Sequence, residues 1–600
     1  MHLSWIDWLI IGAYFALSLA VGLAGCRRAG SGAAEFFASG RNVPWWLLGV
    51  SMVATTFSAD TPNLVTDMVR QHGVAGNWLW WAFLLTGMIT VFVYARLWRR
   101  SQVLTDIEFY ELRYSGRSAA FLRGFRALYL GVFFNVVIMA AVLLAGVKIG
   151  GVLLGLSPAQ TVGAVSIITA AYTMLGGLRA VLLTDFVQFM IAMTGSIFAA
   201  WACVHLPQVG GLAGLLSHPA VAGRLSLLPD FSDTSELMAI FVVPLAVQWW
   251  SAWYPGAEPG GGGYIAQRML AARDENHAVG ATLLFNIAHY ALRPWPWILV
   301  ALCSIVVFPD LEALGRAFPG VDRAIVKHDL AYPAMLTFLP AGWMGLVLAS
   351  LLAAQMSTIS THLNWGASYI VNDYYRRFVR PDLSEKDQVR IGRAATALLM
   401  AAAAVTALFL SSALQAFHLL LQIGAGTGLL FLLRWFWWRI NAASEIAAMA
   451  VSFAVALYFQ FVHERVGLPT LAEWQRLAAG VAVTTAGWIV GTLATRPVEH
   501  EKLMAFYRLV HPGGPGWKKV LARAARQGED TGGMQPGRWD VPRGLLLASL
   551  GIALVYAALL GTGFWLYGNT AAAAVALATA TAAALALGAT AAPRPQAPRP

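Results

Sequence analysis

The stretch WWLLGVSMVATTFSADTPNLVTDMV, Trp45 to Val69, decides how the rest of the chain is read. It is apolar enough to cross a membrane, yet halfway along it carries an acid at Asp60, a proline at Pro62 and a crowd of small hydroxyl residues. Hydrocarbon offers no hydrogen-bond partner, so backbone freed by a break must be satisfied by protein, water or ion. A carboxylate at membrane depth is costly and marks a solute or ion path by default. Pro62 removes a backbone donor and biases Thr61 out of the helical region. A helix broken here turns free carbonyls and a half-helix terminus toward the bilayer midplane, an arrangement that holds Na⁺ and polar solutes. The alternative is a kinked helix whose Asp60 is tied up by a neighbouring Arg or Ser.

Composition agrees with a membrane protein. Of 600 residues 58% are hydrophobic and only 12% charged, with a mean hydropathy of +0.62, whereas a soluble domain carries roughly 25% charged residues. Apolar runs long enough to span about 30 Å of hydrocarbon fall at about 5–25, 45–69, 76–97, 125–150, 157–176, 183–205, 236–256, 279–308, 340–370, 391–411, 414–434, 442–462, 473–493, 544–566 and 570–591. The first has no basic segment before it, Asp7 being the only early charge, and does not read as a cleaved signal peptide. Cys26, Cys203 and Cys303 fit no metal spacing and read as packing residues. The net charge of +11 sits in loops between spans, which favours an anionic lipid surface over nucleic acid.

Loop charge sets the sidedness. Arg27, Arg28 and Arg41 follow the first span, and Arg96, Arg99, Arg100, Arg113, Arg117 and Arg123 follow the third. Arg268 and Arg273 follow the seventh, and Arg376, Arg377, Arg380, Lys386 and Arg390 the ninth. The alternate loops are nearly uncharged or acidic and mixed, so the N-terminus is expected outside and the C-terminus in the cytoplasm. Residues 309–339 are then external, with Asp322, His328 and Asp329 read as a solvated face. Residues 494–543 form a basic cytoplasmic loop, suited to an amphipathic piece lying on anionic lipid. The Ala-rich last span and the tail PRPQAPRP read as a peripheral helix and a disordered end.

Three further constellations carry candidate chemistry. In LLAAQMSTISTHLNWGASYIVND, Leu351 to Asp373, Ser357, Thr358, Ser360 and Thr361 bunch within an apolar span. They form either a neutral oxygen cage for a monovalent cation or ordinary back-bonded helix glue. In AAYTMLGGLRAVLLTDFVQFMIA, Ala170 to Ala192, Gly176-Gly177 end one span, and Thr184, Asp185 and Gln188 begin the next, as a helix cap or as an inner gate or ion exit. In WWSAWYPGAEPGGGGYIAQRMLAARDENHA, Trp249 to Ala278, the glycines read as a hinge or close helix approach at the cytoplasmic end, with no phosphate-loop signature. Trp249, Trp250, Trp253 and Tyr254 serve as an interfacial belt or line a cavity. His289 and Arg293 lie a turn apart within the eighth span, and Arg293 needs a partner, either Glu258 or a carboxylate-bearing solute. Gln248, Trp80 and Trp81 are further lining candidates, with core packing as the alternative.

With these residues laid out, the chain resembles the sodium:solute symporter family, which includes the proline permease and the sodium/glucose cotransporters. The likeness runs from WIDWLIIGAYFALSLAVGL through AAEFFASGRNVPWWLLGVSMVATTFSA, GGLRAVLLTDFVQ, GGYIAQRML and LLAAQMSTIS to about Leu433. The resemblance implies an all-α integral membrane protein of about fifteen transmembrane helices, not an enzyme, with a LeuT-like core of two inverted five-helix repeats containing discontinuous helices. The core would cover 45–434, with repeats at 45–205 and 236–434. It is preceded by a peripheral helix and cytoplasmic loop over 1–44. It is followed by two peripheral helices over 435–493, the basic loop, and two more helices and the tail over 544–600. Na⁺ as coupling ion would be held by backbone near Ser58 and Thr61, the carbonyl of Ala354 and the hydroxyls of Ser357 and Thr358, which leaves Thr361 to packing. Asp60, Asn63, Trp80, Asp185, Gln188, Gln248, Trp253, Glu258, Gly262, Gly263, Tyr264, His289 and Arg293 remain solute or gating candidates. The sugar carriers have an amide where this chain has Asp60, and a polar amide before YITQR where it has Gly262-Gly263. The expected activity is Na⁺-coupled uptake of a small organic solute by alternating access in the plasma membrane. Proton coupling and an uncoupled sensor or uniporter are the alternatives.

Overall fold

A computed structural model describes residues 3–29, 39–410, 412–529 and 539–591. Among these the chain is helical, with only isolated bridges and no strand. Ten helices are long and apolar enough to cross a membrane, and three shorter apolar ones accompany them. In chain order the helical segments are α1 (Trp5–Ala29), α2a (Trp45–Thr56) and α2b (Asp60–His72), α3 (Val74–Ser101), α4 (Gly116–Leu154), α5 (Pro158–Ala171) and α6 (Val181–Val204). Next come α7a (234–251) and α7b (Gly263–Ala271), α8 (Glu275–Val307), α9 (Trp343–Val379), α10 (Glu385–Ala407), and α11a (Ala413–Gly424) with α11b (Gly428–Leu433). α12 (Ala442–Val462), α13 (Glu473–Ala494), α14 (Val541–Leu566) and α15 (Thr570–Ala591) complete the series.

Helical backbone is recorded without interruption over Pro158–Val204, where the sequence reads as two spans. The contacts of its two ends show that this run doubles back. Val162 lies in one cluster with Ala403 and Ala407 near the end of α10, while the Met174 carbonyl accepts from Arg393 near its start. Further on, Asp185 bonds to Ser357 and Phe198 stacks on Trp343, so α6 runs antiparallel to α9. Thr161 lines an apolar cavity with Gln355, two residues from Ser357. A straight helix would hold Thr161 and Asp185 about 36 Å apart. The reversal falls between Met174 and Asp185.

Three helices are broken, each for a legible reason. In α2 the Thr56 hydroxyl turns back to the carbonyls of Met52 and Val53, at 3.1 and 3.0 Å, competing with the helical ladder. Phe57 then leaves helical geometry with ψ 87°. Pro62 falls in the first turn of α2b, where an amide N–H has no intrahelical acceptor and its absence is harmless. In α7 the chain leaves helix at Ala252 and stays irregular through Gly262, passing Pro255 and Pro259. Gly260 and Gly261 take φ of +77° and +74° in contact with Tyr94, Thr90 and Met269. The expected seventh span at 236–256 is therefore corrected: this element continues to Ala271, and the glycine run, expected as a hinge or close helix approach at the cytoplasmic end, is a buried break within the element. The span expected unbroken at 414–434 is also interrupted, at Ala425–Thr427. Trp253 N–H donates to the Gly424 carbonyl at 3.2 Å, and Ala252 bridges Ala425, so the breaks of α7 and α11 lie side by side.

Two loop readings change with the structure. Arg268, counted as a cytoplasmic loop charge, is fully buried on α7b; Arg273 is left as the exposed cation there. Asp329, read as solvated, is buried in an ion pair with Lys148 of α4 at 2.5 Å. The basic segment 494–543 forms helices His500–Val510 and Lys518–Arg526. Part of its apolar side packs on protein: Phe506 stacks on Trp517, whose indole N–H donates to the Trp435 carbonyl at 3.0 Å. Residues 530–538 of that loop and the tail 592–600 lie outside the described residues. α14 and α15 pair with one another, and α14 fixes itself to the core through Tyr556 to the Trp81 carbonyl and Trp295 to the Leu559 carbonyl.

Candidate functional site

The breaks of α2 and α7 meet at a cavity of about 130 Å³. From α2 it is lined by Thr55, Thr56, Ser58, Asp60 and Thr61, and from α7 by the irregular segment Tyr254 to Ala257 and by Tyr264. α8 supplies His289, Tyr290 and Arg293, α9 supplies Thr358 and His362, and Trp80 and Phe83 of α3 form an aromatic wall. Residues more than 300 positions apart in sequence, such as Thr55 and His362, thus converge, as expected where irregular backbone at membrane depth is tolerated only if it is buried or lines a cavity.

Asp60 is the first residue of α2b, where the helix terminus favours a negative charge. Its Oδ1 is buried without a hydrogen-bond partner among the described residues. Arg293 faces the same cavity and is fully buried. Its guanidinium donates to His289 Nδ1 at 2.5 Å and weakly to the Val53 carbonyl at 3.4 Å, and lies 5.3 Å from the Trp297 ring centroid. Its Nε has no partner. Glu258, one of its expected partners, is not paired with it; both Glu258 oxygens are unpartnered among the described residues. The cavity therefore holds one carboxylate and one guanidinium, each incompletely satisfied by protein.

Beside the cavity α9 meets the end of α2a through hydroxyls. Thr358 donates to the Thr55 carbonyl at 2.7 Å and lies 3.2 Å from the Ala354 carbonyl. Ser357 donates to Asp185 Oδ1 at 2.6 Å, and Ser51 of α2a donates to Asp185 Oδ2 at 2.5 Å. Arg268 approaches Asp185 Oδ2 at 3.8 Å and donates to Thr361 at 2.8 Å, so Thr361 belongs to a polar network rather than to packing. Asp185 is thus no helix cap, and Thr184 bonds back to the Val181 carbonyl within its own helix. Hydroxyls, carbonyls and a carboxylate are hard oxygen donors that suit a small hard cation. Ser58 and Thr61 line the cavity, but the α9 hydroxyl reaches α2 three residues before Ser58.

The remaining sequence candidates separate. Trp80, Tyr264 and His289 line the cavity, whereas Asn63, Gln188, Gln248, Trp253, Gly262 and Gly263 do not. Gln248 donates to the Leu79 carbonyl at 2.7 Å, Gln188 to the Tyr14 hydroxyl at 3.0 Å, and Trp253 packs edge-on against Phe134. Asn63 is buried with neither amide atom partnered. Sequence reasoning passed over Thr55, Ser51, Tyr290 and His362. All but Tyr290 lie inside stretches already singled out, where a hydroxyl or imidazole in an apolar run was the available signal.

This geometry defines a multi-pass membrane transporter of the broken-helix type. The family model of the sodium:solute symporter family matches residues 36–452, and the chain belongs to that family, in which sodium is the coupling ion. The sodium/glucose cotransporter of Vibrio parahaemolyticus is 25% identical over 477 residues, covering 77% of this chain and 86% of that protein. The sodium/mannose cotransporter of Bos taurus is 26% identical over 495 residues, covering 77% and 80%. Among solved structures, a substrate-bound outward-open Na⁺-coupled sialic acid symporter superposes with a TM-score of 0.64 at 20% identity, over 83% of this chain and 99% of that one.

Proposed function

We propose that this chain takes up a small organic solute carrying a carboxylate or a zwitterionic pair together with Na⁺, across the plasma membrane. The N-terminus lies outside and the C-terminus in the cytoplasm. α2 to α6 and α7 to α11 act as the two inverted repeats. The relatives are named for glucose and mannose; a cavity faced by Asp60 and Arg293 fits a solute that supplies charge. The observation that carries the cation assignment is the Thr358 hydroxyl lying between the Thr55 and Ala354 carbonyls beside the α2 break. Na⁺ placed among these oxygens, with the Ser357 hydroxyl, ties α2 to α9 and favours one arrangement of the two repeats. Ser357→Ala with Thr358→Ala is expected to weaken apparent Na⁺ affinity more than it lowers expression. Unchanged sodium dependence of uptake in that double variant would overturn the assignment.

The solute class is tested by thermal stabilisation of purified protein with amino acids, carboxylates, sugars and nucleosides, in Na⁺ and in K⁺. A Na⁺-dependent shift by carboxylates or amino acids supports the charged-solute reading, and a shift by neutral sugars alone sinks it. Asp60→Asn is expected to abolish or badly slow uptake at unchanged yield, because losing one partner of a buried charged contact costs roughly 2–5 kcal/mol in binding. Asp60 also favours one second reading. Its unpartnered oxygen in the cavity suits a proton, and uptake driven by a pH gradient without Na⁺ would move coupling from sodium to protons.

A further inference from the structure

Beneath the central cavity, where α7b begins, two acids share one glycine pair. Glu258 lies in the irregular segment of α7 and is 3% exposed, with no partner for either carboxylate oxygen among the described residues. Asp106, in the turn between α3 and α4, accepts the Gly263 N–H at 2.9 Å and a short hydrogen bond from the Tyr369 hydroxyl. A Cβ added at Gly262 would stand 3.4 Å from Glu258 Cβ and 3.7 Å from Asp106 Oδ2; one added at Gly263 would stand 2.7 Å from Glu258 Oε1. Both side chains therefore crowd the N-terminus of α7b, a nine-residue helix.

The charges around this pair do not balance. A helix N-terminus supplies roughly half a positive charge, and Asp106 takes its first N–H. The guanidinium that acts on Asp106 is that of Arg434, and it is committed to Glu445 at 3.4 Å. The other groups facing Glu258 are neutral: the backbone N–H groups of Gly256 and of Glu258 itself, and the phenols of Tyr254 and Tyr264 of α7, with Tyr369 of α9 on the Asp106 side. Trp365 of α9, whose indole N–H is unpartnered, lies against Gly263 and brings a donor without charge. A buried carboxylate left in this state is strongly destabilising.

We propose that Glu258 and Asp106 form a second cation site, which takes one monovalent positive charge, a proton or Na⁺, independently of the oxygens shared by α2 and α9. The charge would sit between Glu258 and the Asp106 oxygen that caps α7b. Its occupancy would thereby bear on the break of α7 and on the floor of the cavity.

The test uses full-length purified protein in the Ser357→Ala/Thr358→Ala background, so that failure of the α2–α9 assignment does not enter. Thermal stability is compared with and without Glu258→Gln, in choline at pH 8, in choline at pH 6, and in Na⁺ at pH 8. In choline at pH 8 the neutral, isosteric glutamine is expected to raise Tm by about 2–4 °C. The advantage closes at pH 6 if the ligand is a proton, and closes with Na⁺ at pH 8 if it is sodium. A Tm difference that responds to neither pH nor Na⁺, or a glutamine variant less stable throughout, would overturn the proposal. If Glu258→Gln does not yield folded protein, Asp106→Asn removes one charge from the same pair and is read by the same criteria.

Discussion

Asp185 bonds two serines from different helices and sits beside a guanidinium, and the arrangement is stable only as a unit. Ser51 on α2a and Ser357 on α9 each give it one short hydrogen bond, and Arg268 on α7b supplies the opposite charge. Both charged members are fully buried. Breaking a buried pair by removing one partner costs about 3–5 kcal/mol, because the other is left uncompensated. Asp185→Asn and Arg268→Gln are therefore each expected to lower folded yield and Tm, and the double variant to recover much of the loss. Size-exclusion profiles and Tm of the three proteins decide it; a double variant no better than the worse single would mean that the pair does not form. At this scale the sequence is uneven. Asp60 and Ser357 were legible because a polar group inside an apolar run has few bland explanations. Arg268 and Asp106 stand near other charges, where a buried charge and a loop charge look the same until tertiary contacts bury one of them.

The same limit applies to whole elements. Asp60 and Pro62 announced the break in α2, whereas the glycine run of α7 read as a hinge or close helix approach placed at the cytoplasmic end rather than within the helix. Its true position follows from the neighbours it must admit. Gly428 of α11b approaches the end of α7a and the irregular segment after it so closely that a Cβ would lie 2.9 Å from the Ser251 carbonyl carbon, 2.8 Å from Pro259 Cγ and closer still to the Trp250 carbonyl oxygen. Helix backbone at Trp250 and Ser251 and the rigid Pro259 ring leave little to swing aside, and overpacking of this kind costs about 1–3 kcal/mol or more. Gly428→Ala is expected to lower Tm by several degrees and to reduce transport. Gly163→Ala, in α5 with no atom within 4 Å of the added Cβ, is expected to be neutral or slightly stabilising. Equal Tm for the two variants would show that the breaks of α7 and α11 do not touch as described. Glycine spacing alone predicts close approach; which backbone approaches is information held only by the fold.

For the molecule as a whole, apolar runs located most of the helical segments, because about 20 apolar residues are needed to cross the hydrocarbon, while loop charge gave only an expected sidedness. What it left unread is how the two faces are closed. On the face read as cytoplasmic, Arg123 of α4 joins Glu108, Glu111 and Asp373, at 3.0, 2.8 and 2.6 Å. On the opposite face Lys148 of α4 holds Asp329 of the 309–339 segment, and Arg70 at the end of α2b donates to the carbonyls of Ser304 and Phe308 at 2.8 and 2.7 Å. The 309–339 segment is thereby tied to α4 through Lys148, and to α2b through Arg70 Nε, which donates to His328 Nδ1 at 3.3 Å. Replacing both members of the buried Lys148–Asp329 pair with neutral groups of similar size is the cleaner way to release it, since neither charge is stranded. Lys148→Met with Asp329→Asn is expected to keep most of the folded yield while loosening the outer face. A cysteine placed at Ala416, which lines the cavity, reports on this when it is the only thiol present. Its labelling from outside by a membrane-impermeant reagent should be several-fold faster in the double variant than in its parent. An unchanged labelling rate, with the pair removed and the protein still folded, would mean that the tie between α4 and the outer segment does not control access to the cavity.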